Sequence, residues 1–332
     1  MTRARLGRPI ITPVLRTHAK KFYSTKSSSI SSTKYFAAVG LVSTSGLWWL
    51  LTAGDDVPTV EASPTERLVV EPHLSKDQVT RIISQEAYSF LVRNIAGVNR
   101  YDGAQLASNS PCEDRFTHGQ LPSPWNDGDK WMAWAVFDGH SGWQTAELLK
   151  KQLLPFVRHS LSQVERPSNE KSVPEDLVRR AIINGFVNLD NSIMKTALDA
   201  AESEEPLQEK VQKLVPAFAG SCALLSIYDP TTSTLHVGCT GDSRAVLGQQ
   251  QPDGKWEAIP LSVDQTGSNK EEVARILEEH PGEEDVAKDG RILGIMVSRA
   301  FGDSRWKWPL ELQQDIRRRF YGPAPLTPKY DI

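Results

Sequence analysis

The feature that most constrains the fold of this chain is the run Trp131-Met-Ala-Trp-Ala-Val-Phe137. These seven apolar residues pass without a break into Asp138-Gly139-His140-Ser141-Gly142. A run so long and so aromatic reads as a strand buried on both faces. A carboxylate at its carboxyl end is poorly placed for solvation and needs a partner, most readily a cation. Gly139 lets the backbone come close enough to lend its own carbonyl, and His140 is the residue type whose proton moves near neutral pH. The stretch points to metal-assisted chemistry at a strand end. The plainer alternative is a strand-to-helix turn with Asp138 as its N-cap.

With 332 residues the chain has room for one large domain or two small ones, and 39% apolar with 24% charged residues is a globular composition. The net charge of -3 hides an asymmetry: residues 1–54 hold eight Lys or Arg and no acid, leaving 30 basic against 41 acidic residues in the body. An acidic body argues against a general nucleic-acid binder, which would show a basic face. Cys112, Cys222 and Cys239 show no paired spacing, so neither a disulfide framework nor a zinc set is expected. Each reads as a small core residue.

Residues 1–34 interleave Arg and Lys with Ser, Thr and small apolar residues, the composition of a mitochondrial presequence. Tyr35 to Ala53 follows, nineteen residues without a charge. As a helix it would reach about 28 Å, enough to span the hydrocarbon core of the inner mitochondrial membrane. Basic residues before the span and acids after it would leave the body in the intermembrane space, with the matrix as the alternative if the whole segment is pulled through. Residues 54–74 read as a linker, and 75–332 as the body.

Within the body, 75–95 has helical spacing, ended by Gly97 and Gly103. Glu113-Asp114 beside Arg115 is, taken alone, a solvated surface pair. Residues 119–130 read as a loop. Helices are expected over 143–160, with Ala146, Leu149, Leu153 and Phe156 on one face, over 174–201 and over 269–280, while 202–213 reads as a solvated insert. The period then changes to that of strands at 222–228, 234–239 and 244–248, with the tight turn Thr240-Gly241-Asp242-Ser243 between the last two. Tandem antiparallel strands with long helices indicate an α+β layered domain.

Each carboxylate signal is weak alone, but their order is specific. Glu113-Asp114, Asp138-Gly139-His140, Gly220-Ser221-Cys222, Gly241-Asp242-Ser243-Arg244 and Ser298-Arg-Ala-Phe-Gly-Asp303 together closely resemble the metal-dependent serine/threonine protein phosphatases of the PPM, or type 2C, family. Asn109-Ser-Pro-Cys-Glu-Asp-Arg115 and Trp306-Lys-Trp308 resemble its mitochondrial pyruvate dehydrogenase phosphatase branch. The likeness covers about residues 80–332. It implies an antiparallel β-sandwich flanked by helices, a four-layer αββα arrangement, with a metal site at one edge. Asp138 would bridge two Mg²⁺ or Mn²⁺ ions, and the Gly139 carbonyl would ligate one. Glu113 and Asp114 would hold an ion directly or through water, Asp242 would serve a third, looser ion, and His140 would be the general acid. All-oxygen ligands suit such hard ions, and the metals would generate the attacking hydroxide.

Four points qualify the resemblance. Asn109 stands where many members carry a phosphate-binding Arg, a change shared by the pyruvate dehydrogenase branch. Ser141 replaces a commoner Gly or Ala, and Val263-Asp264-Gln265 stands where the family often has Asp-His. Members of the family continue beyond the Phe-Gly-Asp motif into Asp-Gly-x-Trp and Asp-Asn segments, neither of which follows Asp303 before Ile332, so the fold and the ligand set are expected to be incomplete at the C-terminus. The expected activity is hydrolysis of phosphoserine or phosphothreonine on mitochondrial proteins, with the pyruvate dehydrogenase E1 subunit as the implied partner. The alternatives are a catalytically inactive, membrane-anchored interaction module and a small-molecule phosphatase.

Overall fold

The computed structural model describes residues 2–5, 74–125, 127–165 and 173–320. The presequence, the uncharged stretch 35–53 and the linker lie outside these residues, apart from Leu74 and the short strand β1 (Thr2–Arg5). Among the described residues no helix is long and apolar enough to cross a membrane.

Helix α1 (Lys76–Ile83) is closed at its start by a capping box between Ser75 and Gln78, and it stops well short of residue 95. Tyr88–Leu91 (β2) instead pairs with Arg100–Gly103 (β3) as an antiparallel hairpin. The apolar spacing of 79–91 suits either period over so short a span, and the cross-strand partner decides. Strand β4 (Arg115–Pro122) then extends into the expected loop, because its full length pairs with β5 (Lys130–Phe137). The two-residue strand β6 (Gly139–His140) leads into helices α2 (Gln144–Ser162) and α3 (Glu175–Glu202). Part of the charged stretch expected to be a solvated insert is helix α4 (Leu207–Phe218), which buries Leu214 and Ala217 beneath an exposed polar face.

Next come β7 (Gly220–Ser221), β8 (Ala223–Asp229), β9 (Thr234–Thr240), and the hairpin β10 (Val246–Gln250) and β11 (Trp256–Pro260). Helix α5 (Lys270–Glu279), capped by Asn269, precedes the small hairpin β12 (Ala287–Lys288) and β13 (Arg291–Ile292). Strand β14 (Phe301–Gly302) and helix α6 (Leu310–Phe320) complete the described chain.

The main sheet runs β1-β9-β8-β5-β4, every pair antiparallel. Alternation along β5 sends Trp131, Ala133, Ala135 and Phe137 to one face, where they pack with Ala223, Leu225 and Ile227 of β8. Ala146, Leu149, Leu153, Val157 and Leu161 of α2 cover this face, together with Ile182 and Leu189 of α3. Their steps of three and four residues place them on one helical stripe. Met132 and Trp134 point to the opposite face, packing with Ile95, Tyr101 and Tyr228 under β2–β3. Leu224, Val237 and Leu261 pack beside Leu247 and Ile259 of β10–β11. The expected α+β layering is therefore present, but among the described residues the second β layer consists of two separate hairpins. Val136, on that same face, remains 46% exposed. The cysteines are free. Cys222 is buried as expected, whereas Cys112 and Cys239 are only partly covered.

Candidate active site

Strand register gathers the acids at one end of the sheet. Pairing of Arg115 with Phe137 means that Glu113-Asp114 enters β4 where Asp138 leaves β5. One strand further on, the Cys222 N–H donates to the Asp138 carbonyl at 2.8 Å. Ala223 pairs with Thr240, which puts the Gly241-Asp242 turn beside Cys222, whose thiol donates to Asp242 Oδ1 at 3.5 Å. Residues distant in sequence thus become neighbours because their strands end together.

The electrostatics record the crowding. Partial burial, then the charges of Asp114 and Asp242, and finally Glu113, hold the Asp138 carboxyl above its ordinary range, with His140 opposing them. Burial also pushes the Cys222 thiol up, which makes it a packing residue rather than a nucleophile. Gly139 packs so tightly on the Glu113 backbone that a Cβ would collide with the Glu113 carbonyl oxygen.

Arg115 fixes the acid-bearing backbone. Its guanidinium donates to the carbonyls of Cys112 and Asp114, each at 2.8 Å, and to Glu147 of α2 at 2.8 Å. The Asp242 turn has its own clamp. Gln265 Oε1 accepts from the Gly241 N–H at 2.9 Å, the Gln265 N–H donates to the Gly241 carbonyl at 2.9 Å, and Asp264 pairs with Arg244. The segment Val263-Asp264-Gln265, to which the sequence attached no role, therefore supports this turn.

His140 is held from a different direction. Strand β7 sits between β6 and β14, pairing Gly220 with both His140 and Gly302. Above Gly220, His140 Nε2 and Asp303 Oδ2 meet at 2.8 Å. A Cβ on Gly220 would run into both side chains. Burial pulls the His140 pKa down, but Asp303, with Asp138 and Glu113, outweighs it and holds the imidazole above its usual value. Asp303 appeared in the sequence only as the end of a motif. Its partner lies 163 residues away, and no local pattern names it.

Ties within the Ser298–Asp303 segment complete the frame. Glu272 of α5, only 8% exposed, accepts from Ser298 Oγ at 2.7 Å and from Arg299 Nε at 2.9 Å, and pairs with Arg275. Burial pushes the Glu272 pKa up, but the hydrogen bonds of Arg299, Arg275 and Ser298 dominate and bring it down to about 2. A cavity of about 440 Å³ lies beside this segment, lined by Ile276, Val297, Phe301, Asp303 and Lys307; it does not include the cluster of acids.

Asn109 is exposed, and its side chain accepts from Ser108 at 3.4 Å; the structure gives it no bond to the acids. Among the described residues no three His, Cys, Asp or Glu side chains are grouped closely enough to enclose a metal ion. The donor chemistry nevertheless fits a hard divalent cation. The site is made of carboxylates, with Asp138 partly desolvated and its charge opposed by its acidic neighbours Asp114, Asp242 and Glu113.

Residues 102–314 match the family model described as protein phosphatase 2C. The chain belongs to the protein phosphatase 2C family. It is 41% identical over 266 residues to a protein phosphatase 2C homolog of Schizosaccharomyces pombe, covering 78% of this chain and 59% of that protein. It is 39% identical over 243 residues to the mitochondrial pyruvate dehydrogenase (acetyl-transferring) phosphatase 1 of Saccharomyces cerevisiae, covering 70% and 42% respectively. The chain therefore spans roughly half the length of these curated relatives. Among solved structures, a serine-threonine phosphatase 2C from Toxoplasma gondii aligns over 74% of each chain at a TM-score of 0.40 and 19% identity. The matched segment of this 2C chain contains every acid gathered at the sheet end, together with His140 and Asp303.

Proposed function

We propose that this 2C-family chain hydrolyses phosphoserine and phosphothreonine in proteins with the help of divalent metal. The observation that carries the reading is the strand register that brings Glu113, Asp114, Asp138 and Asp242 to one end of the sheet, with His140 one residue beyond Gly139. Glu113, Asp114, Asp138, Asp242 and the Gly139 carbonyl would hold Mg²⁺ or Mn²⁺. When bound, the metal supplies a water acidic enough to attack phosphorus and offsets charge on the phosphoryl oxygens. The chain's own residues do the rest. Arg115 keeps the 112–114 backbone in place, Gln265 keeps the Asp242 turn in place, and His140 stands ready to protonate the departing oxygen. Asn109 would touch the substrate phosphate.

Mitochondrial proteins are the substrate class we infer, with the pyruvate dehydrogenase E1 subunit first. The support is the relative named for pyruvate dehydrogenase and the acid-free, basic composition of residues 1–54. The test is phosphate release from a phosphothreonine peptide by the full chain, with and without Mn²⁺. Release that requires Mn²⁺ and is lost in Asp138→Asn is expected. A flat response with folded protein would leave a phosphatase-like interaction module instead.

A further inference from the structure

Asp303 is presented to His140 by a loop that is fixed without the help of its side chain. The Asp303 N–H donates to the Ala219 carbonyl at 3.0 Å, and the Gly302 N–H donates to Asp190 Oδ1 of α3 at 3.0 Å. Lys307 Nζ bridges Asp190 Oδ2 at 2.6 Å and the Ala300 carbonyl at 2.9 Å. Asp303 itself adopts the left-handed region at φ 53°, a conformation that costs a non-glycine residue energy and calls for a reason. Its residue is 4% exposed, and its Oδ1 is buried with no hydrogen-bond partner. A residue that served only to fill space would not need a strained backbone and a half-satisfied carboxylate. What the arrangement achieves is one contact, Oδ2 to His140 Nε2 at 2.8 Å.

An ionised carboxylate only accepts, so this contact places a proton on Nε2 and leaves Nδ1 as the nitrogen available for chemistry. Nδ1 bonds to none of the described residues, and the side chain is 27% exposed. We propose that Asp303 is a positioning residue that occupies His140 Nε2, so that Nδ1 is the atom that donates a proton to the serine or threonine oxygen leaving phosphorus. The inference rests on the phosphatase reading for the identity of the reaction, although the hydrogen bond itself does not. The step balances. A P–O bond forms to the oxygen of water, the P–O bond to the side chain breaks, and the Nδ1 proton moves to the departing oxygen. The neutral ring keeps its Nε2 proton toward Asp303, and solvent returns a proton to Nδ1.

Two measurements on the full chain test this. In metal-free, ¹⁵N-histidine-labelled protein at alkaline pH, where the ring has given up its second proton, His140 (assigned by the signal lost in His140→Gln) should show a single neutral tautomer protonated on Nε2, with that proton exchanging slowly. Asp303→Ala should abolish the slow exchange. A ring protonated on Nδ1, or one averaging both tautomers in the unmodified chain, overturns the proposal, and neither result depends on activity. In the loaded enzyme, Asp303→Asn and Asp303→Ala should lower kcat on a phosphothreonine peptide on the order of 10–100-fold at nearly constant KM. Nitrophenyl phosphate, whose leaving group needs no proton, should change little, and Asp303→Glu should recover part of the loss. Equal loss on both substrates would make Asp303 a purely structural residue. An unmodified chain that hydrolyses neither substrate would sink the phosphatase reading, while the imidazole signals would still decide the role of Asp303.

Discussion

Gly220 occupies the one position where absence of a side chain lets His140 and Asp303 touch. Gly220→Ala should push the pair apart and cost about 1–3 kcal/mol by overpacking, readable as a lower urea midpoint at unchanged slope. At this scale the sequence was informative wherever chemistry showed itself locally. Asp138, ending an apolar run, announced an unsolvated carboxylate, and Gly139-His140 followed it directly. Asp303 and Gln265 were not legible in that way. Their significance comes from partners on other strands, and register, not neighbouring residues, creates those contacts.

Helices α2 and α3 were legible because their apolar residues recur at three- and four-residue steps over many turns. Leu149, wholly buried in the stripe that α2 lays on the sheet, should cost about 2–5 kcal/mol when truncated to Ala, measured by chemical denaturation. Helix α4 is masked in the sequence because Glu209, Lys210 and Lys213 dominate it, and Pro216 in its last turn reads as a breaker. Only Leu214 and Ala217 are buried. Strand β2 hides within a stretch of helical spacing because four residues are too few to fix a period. Between elements, Glu272 latches α5 to Ser298 and Arg299. Its carboxyl lies below the ordinary range, near 2. The stabilisation is therefore complete above the unfolded-state value near 4.5 and fades as pH falls through about 2. A shift of that size corresponds to about 3 kcal/mol. Glu272→Gln should thus be destabilised most at neutral pH, and its deficit relative to the unmodified chain should shrink steadily on acidification, as denaturation curves across that range would show.

At the scale of the whole molecule, one antiparallel sheet carries helices on one face and two hairpins on the other. That layering was legible from the switch in period between the long helices and the strands after residue 222. The split of the second layer was not, since nothing in an individual strand says whether its neighbour is another strand or solvent. The proposed metal should raise the melting temperature of the chain, because a ligand that binds only the native state adds about 2.7 kcal/mol at a hundredfold excess over its Kd. Asp138→Asn should melt at nearly the same temperature with and without Mn²⁺. The acids that would hold the ion lie on separate strand ends, and in an unfolded coil they are strangers to one another. Divalent ion supply would then act as a thermostat for the fold, so that a chelator would lower its melting temperature without ever touching its apolar interior.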